Sequence, residues 1–453
     1  MTDSVHDVVV IGGGPAGATA ALQLARKGFD VVVLEKSIHP RFHIGESFLP
    51  RNMGLIRELG LSDRLAALPQ MRKLGAEFGF GHNLTPTTRF RFDTMLGTGD
   101  TEAFNIARAP FDAMILDSAR EAGAEVRESQ TVKQIMQLTE GHVCIATKDD
   151  VLCARWLVDA SGQTTVVGRH LGTRRILPHL KKVAYFGHFG NVQRLSGDEE
   201  GYPTIIMCDE GWFWIIPLDA DRTSIGLVMH MDIARQIDCP ADQMLRWAIA
   251  RCPMLLERVK DAEFPARNHV NADFSYRCAP YAGAGYFLVG DAATFMDPIF
   301  STGVCLGMMG GAQVADALDA ILRGRDDTRR VQRRYMRFVE GSSAAFFKLV
   351  ALYYNHQFRE LFMHGQGPLD IHRAVIGILA GHVFPRPAFA LRWRMLAFEW
   401  LIRLQRLVPL VPRRQPFSLV KSRPVQLKAG ATVVELKPIV IEANEALLHA
   451  SSS

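Results

Sequence analysis

A chain of 453 residues is too long for one simple core and suits two or three domains. Its composition, 48% hydrophobic and 22% charged, is that of a globular protein. The net charge of +5 comes without a dense basic stripe interleaved with stacking aromatics, which argues against nucleic acid and suits an acidic protein partner or an anionic surface.

The seven cysteines (Cys144, Cys153, Cys208, Cys239, Cys252, Cys278, Cys305) are scattered and odd in number. They show neither C-x-x-C pairing nor zinc spacing, which predicts reduced thiols, no metal and a cytoplasmic protein. The N-terminus enters a strand within a few residues, so no signal peptide is expected. No stretch reaches about 18 uninterrupted apolar residues, so no membrane-spanning helix is expected.

Val8 to Ile11 is a short apolar run, suited to a buried parallel strand. Gly12-x-Gly14-x-x-Gly17 follows at once, then helical spacing from Ala16 to Lys27 with Gly28 as the expected C-terminal cap. Val31 to Leu34 reads as a second strand, closed by Glu35 and Lys36. Gly12 permits the tight turn, Gly14 lets a pyrophosphate approach the backbone, and Gly17 packs helix on strand. Phosphates belong at the helix N-terminus, where free N–H groups and the dipole favour anions. Glu35 stands where a ribose acceptor is expected. Strand, glycines, helix, strand and acid in this order specify a dinucleotide-binding unit, although they leave open which dinucleotide.

Later segments narrow the choice. "ARAPFDAMILDSAREAGAEV" (107–126) places Arg108 ahead of an amphipathic helix and a strand. "LVDASG" lies at 157–162, and "YFLVGDAATF" at 286–295 is an apolar strand ending in Gly290-Asp291 before a small-residue helix start. Over about residues 5 to 325 the chain resembles the FAD-binding scaffold shared by aromatic hydroxylases, geranylgeranyl reductases and flavin-dependent halogenases. The resemblance implies that Asp291 holds the ribityl chain and that the helix after it points its N-terminus at the isoalloxazine. It implies a cofactor site made by Gly12, Gly13, Gly14, Ala16, Gly17, Glu35, Lys36, Arg41, Ser47, Arg108 and Asp291.

Three local patterns choose among the branches. "HIGESFLP" (43–50), following Arg41, resembles the loop over the flavin in halogenases and reductases. "FMDPIFSTGV" (295–304) fits F-x-x-P-x-x-S-x-G, similar to the pattern of flavin-dependent halogenases. Pro298 stiffens the approach, and consecutive N–H groups of Thr302 and Gly303 suit a halide nest. "GWFWIIPL" (211–218) fits W-x-W-x-I-P, the second halogenase signature. In that family a flavin hydroperoxide hydroxylates any electron-rich ring that reaches it. The resemblance thus makes Trp212, Trp214, Ile216 and Pro217 a wall between flavin and substrate, so that a halide intercepts the peroxide instead. On a strand, Trp212 and Trp214 face one side and Phe213 the other.

"QMRKLGAEFGFG" (70–81) offers Lys73 ahead of an apolar, glycine-rich strand. A lysine in this setting resembles the catalytic one of the halogenases, which hydrogen-bonds hypohalous acid or becomes a haloamine. Partial burial that lowers its pKa aids either route. One departure matters. Tryptophan-specific halogenases carry a glutamate just before the Ser-Thr-Gly step, where this chain has Phe300. That favours a phenol or a pyrrole over free tryptophan. Asp273 in "NADFSY" is a candidate for covalent flavin attachment.

Strand-like texture fills the region from Arg175 to Val270, and the chain turns mostly helical after Gln313. The expected architecture is α/β: a discontinuous Rossmann-like FAD domain (1–75, 100–175, 270–325), a β-sheet substrate domain (76–99, 176–269), and a helical C-terminal region (326–453) whose tail from Ala443 frays. In residues 384–415, Trp393, Leu396, Trp400, Leu404 and Leu407 make an apolar stripe expected to pack on the body. Arg392, Glu399, Arg403 and Arg406 lie near one face, and such a basic helix can also lie on a membrane or meet an acidic carrier protein.

The resemblance as a whole implies a two-component halogenase of secondary metabolism. FADH2 comes from a separate NAD(P)H-dependent reductase, since no second nucleotide fingerprint is visible. Dioxygen and chloride or bromide are the co-substrates, and the substrate is a small aromatic ring, free or on a carrier. An aromatic hydroxylase, an isoprenoid reductase and a non-catalytic flavin scaffold are the alternatives.

Overall fold

Two large sheets and two small ones organise the chain in the computed structural model, which describes residues 5–272, 275–365 and 367–425. The first is built on the strand His6–Ile11, whose Val8 to Val10 are fully buried. It pairs in parallel with Val31–Leu34 on one side and Val151–Asp159 on the other, and Glu125–Arg127 and Tyr286–Leu288 extend the sheet. Parallel strands covered on both faces need continuous apolar runs, and these sequences supply them. The first helix, Pro15–Arg26, is one cover, and Gly28 at φ +82 ends it as the glycine predicted.

The second sheet has seven strands in the order His269–Ala272, Lys182–Gly190, Arg222–His230, Gly211–Pro217, Thr204–Met207, Gly75–Phe80 and Thr88–Arg91. Its neighbours are antiparallel except Thr204–Met207 with Gly75–Phe80. Alternation along the central strand divides its side chains between two cores. Trp212 and Trp214 join the core shared with the first sheet, while Phe213 and Ile215 join one closed by the helices Met244–Ile249 and Pro253–Arg258.

Three expectations are corrected. Cys144 and Cys153 form a disulfide, because they stand directly opposite on adjacent antiparallel strands. Sequence spacing alone does not show that register. The remaining five cysteines are free. Second, no long helix follows Asp291 at once. Gly290–Ala292 is a 3-10 turn, a two-residue bridge comes next, and the long helix begins only at Gly303. That helix, Gly303–Leu322, is the one element among the described residues with the length and hydropathy of a membrane span, and 67% of that window is buried inside the fold, packed on the first helix.

Third, the helix Phe389–Leu407 turns inward a stripe other than the expected one. Leu391, Met395, Phe398 and Ile402 pack on the body, whereas Leu396, Trp400, Leu404 and Leu407 are exposed. Both stripes have helical spacing, and only the neighbouring helices decide between them. Asp273 and the tail from Ala443 lie outside the described residues.

Candidate active site

The glycine loop is shaped for an anion. Gly12 has φ +104, and a Cβ there would lie 2.3 Å from the Ala160 carbonyl oxygen. A Cβ on Gly17 would strike the Gly12 carbonyl at 1.9 Å, so helix and strand meet only through glycine. Gly14 differs. A Cβ there would have a single neighbour, Arg41 Nη2 at 3.6 Å, so the space above it is open and topped by a guanidinium. Gly14 is also the N-cap, with no side chain capping the helix, which leaves its first N–H groups available. Ala16 sits in the first turn against Gly290 and Gly307, where a Cβ on either would lie within 3.3 Å of it.

Glu35 is buried, and its oxygens accept the Gly13 N–H at 2.7 Å and the Ser37 N–H at 2.9 Å. A carboxylate has about four acceptor positions, so an anchored Glu35 still accepts from a ribose. Lys36 donates to Thr164 Oγ1 at 3.3 Å. Asp112, which the sequence reading missed, organises both arginines. Arg108 clasps it with two bonds of 2.7 and 2.9 Å, and Arg41 reaches it at 3.3 Å. Arg108 also donates to the Ile44 carbonyl at 2.8 Å, fastening the 43–50 loop to the same cluster.

Among the described residues, two polar groups at this cleft have no hydrogen-bond partner. Ser47 Oγ is buried without a hydrogen bond, and the Asp291 carboxylate has none among the described residues. Burial raises the Asp291 pKa to about 6 against the pull of Arg108. Unpaired acceptors, an open helix N-terminus and a hanging guanidinium fit the hydroxyls and pyrophosphate of FAD. They are the residues that would hold it.

A second centre lies across the 43–50 loop. Lys73 ends the short strand Gln70–Lys73 and is 3% exposed, despite the charged Arg72 beside it. Its ammonium donates to the Phe48 carbonyl at 2.8 Å and lies 5.4 Å from the centre of the Phe92 ring. Burial without a countercharge brings its pKa down to about 7. Around it is an apolar cavity lined by Leu49, Phe78, Phe90, Phe92, Ile205, Ile299, Phe300, Ser301 and Ile376. The structure thus brings Lys73 together with the 299–301 loop, and Phe300 stands in that shared lining.

After that loop comes the segment where the sequence suggests a halide nest. Asp297 caps the turn Pro298–Phe300 by accepting the Ile299 N–H, Ser301 is left-handed at φ 57, and Thr302 caps the long helix. The Thr302 and Gly303 N–H groups reach no backbone acceptor among the described residues, as expected at a helix start.

Next to the cavity-lining Ile205 runs the tryptophan strand, with Trp214 directly opposite that residue. The Trp212 and Trp214 rings are 5.8 Å apart, and Phe186 continues the panel 6.0 Å from Trp214. Trp214 lies over Gly226, where any Cβ would come within 2.2 Å of the indole. Trp214 Nε1 donates to Ser224 and Trp212 Nε1 to the Tyr354 hydroxyl, both at 3.1 Å. Ile216 is half-buried and Pro217 buried on the same strand. The sequence reading also passed over His188 and Glu46, joined at 2.7 Å, which tie the sheet to the 43–50 loop.

Fold and cleft together define a dinucleotide-fold flavoprotein. Residues 5–335 match the FAD binding domain family. The chain is 33% identical over 339 residues to a 1H-pyrrole-2-carbonyl-[peptidyl-carrier protein] brominase of Pseudoalteromonas luteoviolacea, covering 71% of this chain and 79% of that protein. It is 34% identical over 353 residues to flavin-dependent halogenase armH3 of Armillaria mellea, covering 70% and 68%. Among solved structures, flavin-dependent brominase Bmp2 superposes with a TM-score of 0.78 at 29% identity, over 89% of this chain and all of that one. The chain belongs to the flavin-dependent halogenases, within the FAD binding domain family.

Proposed function

We propose that this protein is a two-component halogenase acting on an electron-rich ring, a phenol or a pyrrole. The observation that carries this reading is the buried Lys73 in an apolar cavity shared with the Ile299–Ser301 loop. When bound in its reduced form, the flavin would activate dioxygen, and dioxygen supplies the oxidising equivalents that turn chloride or bromide into hypohalous acid, leaving FAD and water. The N–H groups of Thr302 and Gly303 hold the halide. Trp212, Trp214, Ile216 and Pro217 keep the ring from the flavin cleft. Lys73, part neutral near pH 7, receives hypohalous acid through its amine and directs an electrophilic halogen at the ring.

Phe300 gives the cavity an apolar lining and no carboxylate at that position, which suits a ring activated by its own substituent. The carrier-bound pyrrole named for one relative favours delivery on an acidic carrier protein, consistent with the chain's charge of +5. A separate NAD(P)H-dependent reductase supplies reduced flavin, in the cytoplasm where that reductant is made. The FAD domain segments are 1–75, 100–175 and 270–325, and the sheet of 76–99 and 176–269 roofs the ring.

The test supplies protein with a flavin reductase, FAD, NAD(P)H, oxygen and chloride or bromide, with a chromogenic hypohalite trap. Halide-dependent trapping supports the reading, and flavin oxidation with no trapped halogen at any halide concentration contradicts it.

A further inference from the structure

Lys182 is a second lysine inside the protein, and the scheme above gives it nothing to do. It begins the strand Lys182–Gly190 and is fully buried, on the sheet face that carries Trp212 and Trp214. Its ammonium has no hydrogen-bond partner and no ion pair among the described residues. Instead it lies 3.7 Å from the centre of the Tyr354 ring. The hydroxyl of that ring joins two parts of the proposed site. It donates to Asp297 Oδ2 and accepts from Trp212 Nε1. Asp297 in turn caps the turn that leads into Ser301, Thr302 and Gly303.

The charges create a problem for any anion held there. Asp297 is 1% exposed, and an ionised carboxylate five residues before Thr302 opposes a halide. Besides Lys182, two titratable groups flank the Tyr354 ring. Arg359 is buried, with its guanidinium 5.8 Å from the Tyr354 ring, but its hydrogen bonds go to the Tyr353 and Cys208 carbonyls. His230, opposite Lys182 in the sheet, is pushed down to about 4 by burial and by Lys182, so it is neutral near pH 7. Burial draws Lys182 down to about 7 and Asp297 up, and each favours the charged form of the other.

We propose that Lys182 is a positioning residue for halide binding: through the Tyr354 ring it offsets the Asp297 charge, so that Asp297 can shape the Thr302–Gly303 turn without repelling the anion. This rests on the halide site proposed above. Burying opposite charges costs desolvation free energy, and removing one leaves the other uncompensated. Here the uncompensated charge is negative and sits on the turn that leads into the proposed halide site.

The test is a bromide titration of FAD-loaded protein, followed by the flavin difference spectrum, with KM for bromide measured in parallel. Four proteins are compared: wild type, Lys182→Met, Asp297→Asn and the double variant. Lys182→Met is expected to weaken bromide binding by about tenfold or more, raising KM more than it lowers kcat. Asp297→Asn in the Lys182→Met background is expected to restore affinity to within about threefold of wild type, a rescue that loss of packing would not give. Lys182→Met with unchanged bromide affinity, or a double variant as weak as Lys182→Met alone, overturns the proposal. Wild type with no bromide response overturns the halide site itself, and the inference with it. FAD affinity, measured on all four, is expected to be unchanged, and its loss in Lys182→Met would assign the residue to the cofactor instead.

Discussion

Lys73 donates its one hydrogen bond to the carbonyl of Phe48, 2.8 Å away, and Phe48 follows Ser47 in the loop that reaches the flavin cleft. A single loop thus carries one residue proposed for the cofactor site and, next to it, the carbonyl that holds the buried amine. The bond fixes the amine but offers no negative charge, so its ammonium form is stabilised only weakly. That is why burial wins and the pKa falls to about 7.

A stability signature follows. The folded pKa lies below the unfolded value of 10.5, so the unfolded chain binds more protons between about pH 7 and 10.5, and stability rises with pH there. Below pH 7 the full cost of burying the ammonium is present. Lys73→Met removes that cost and keeps the volume. Denaturant unfolding should show the variant more stable than wild type by about 2–4 kcal/mol at pH 6. The difference should shrink as pH rises toward 10. A variant less stable than wild type at pH 6 would mean that the amine is well satisfied.

Gly14→Val should abolish FAD binding without unfolding the protein. The added Cβ has open space and only Arg41 nearby, so the apoprotein tolerates it. The same space is where a pyrophosphate must meet the helix N-terminus. Equilibrium dialysis should give a loss of at least about a hundredfold in FAD affinity with a near-native melting curve. Stoichiometric yellow flavin on the purified variant would remove this loop from the cofactor site.

What the sequence made legible was local. Gly12, Gly14, Gly17 and Glu35 act within 25 residues of one another, and the turn, the helix and the anchoring of Glu35 at Gly13 follow from that short span. The alternation of Trp212, Phe213 and Trp214 was equally local. What depended on distant pairing was not readable. The burial of Lys73 needs Ala103 across the strand pair and Phe92 and Phe300 around it. Cys144 and Cys153 meet only because a hairpin sets their register. Lys182 and Tyr354 are 172 residues apart, and no periodicity links them. Two apolar stripes of the helix Phe389–Leu407 were indistinguishable until its neighbours chose one.

The wall makes a partition prediction. Trp214→Ala deletes a buried ring and should cost about 3–5 kcal/mol, so folded, flavin-loaded protein must be selected before assay. On that protein, halogenated product per reduced flavin should fall, and hydrogen peroxide or hydroxylated ring should rise. Phe213→Leu acts in the other core and should leave that ratio nearly unchanged. Equal uncoupling by both variants would make the strand ordinary packing.

The most direct test of the account is Lys73→Ala, supplied with reduced FAD, oxygen, bromide and an electron-rich phenol or carrier-bound pyrrole. Two quantities are read together, the rate of reduced flavin oxidation and the amount of brominated ring. The account predicts FAD binding and flavin oxidation within about threefold of wild type, with brominated product reduced by at least about a thousandfold, because the amine acts after hypohalous acid has formed. Brominated ring at a substantial fraction of the wild-type yield, in protein shown to lack the lysine, would contradict it.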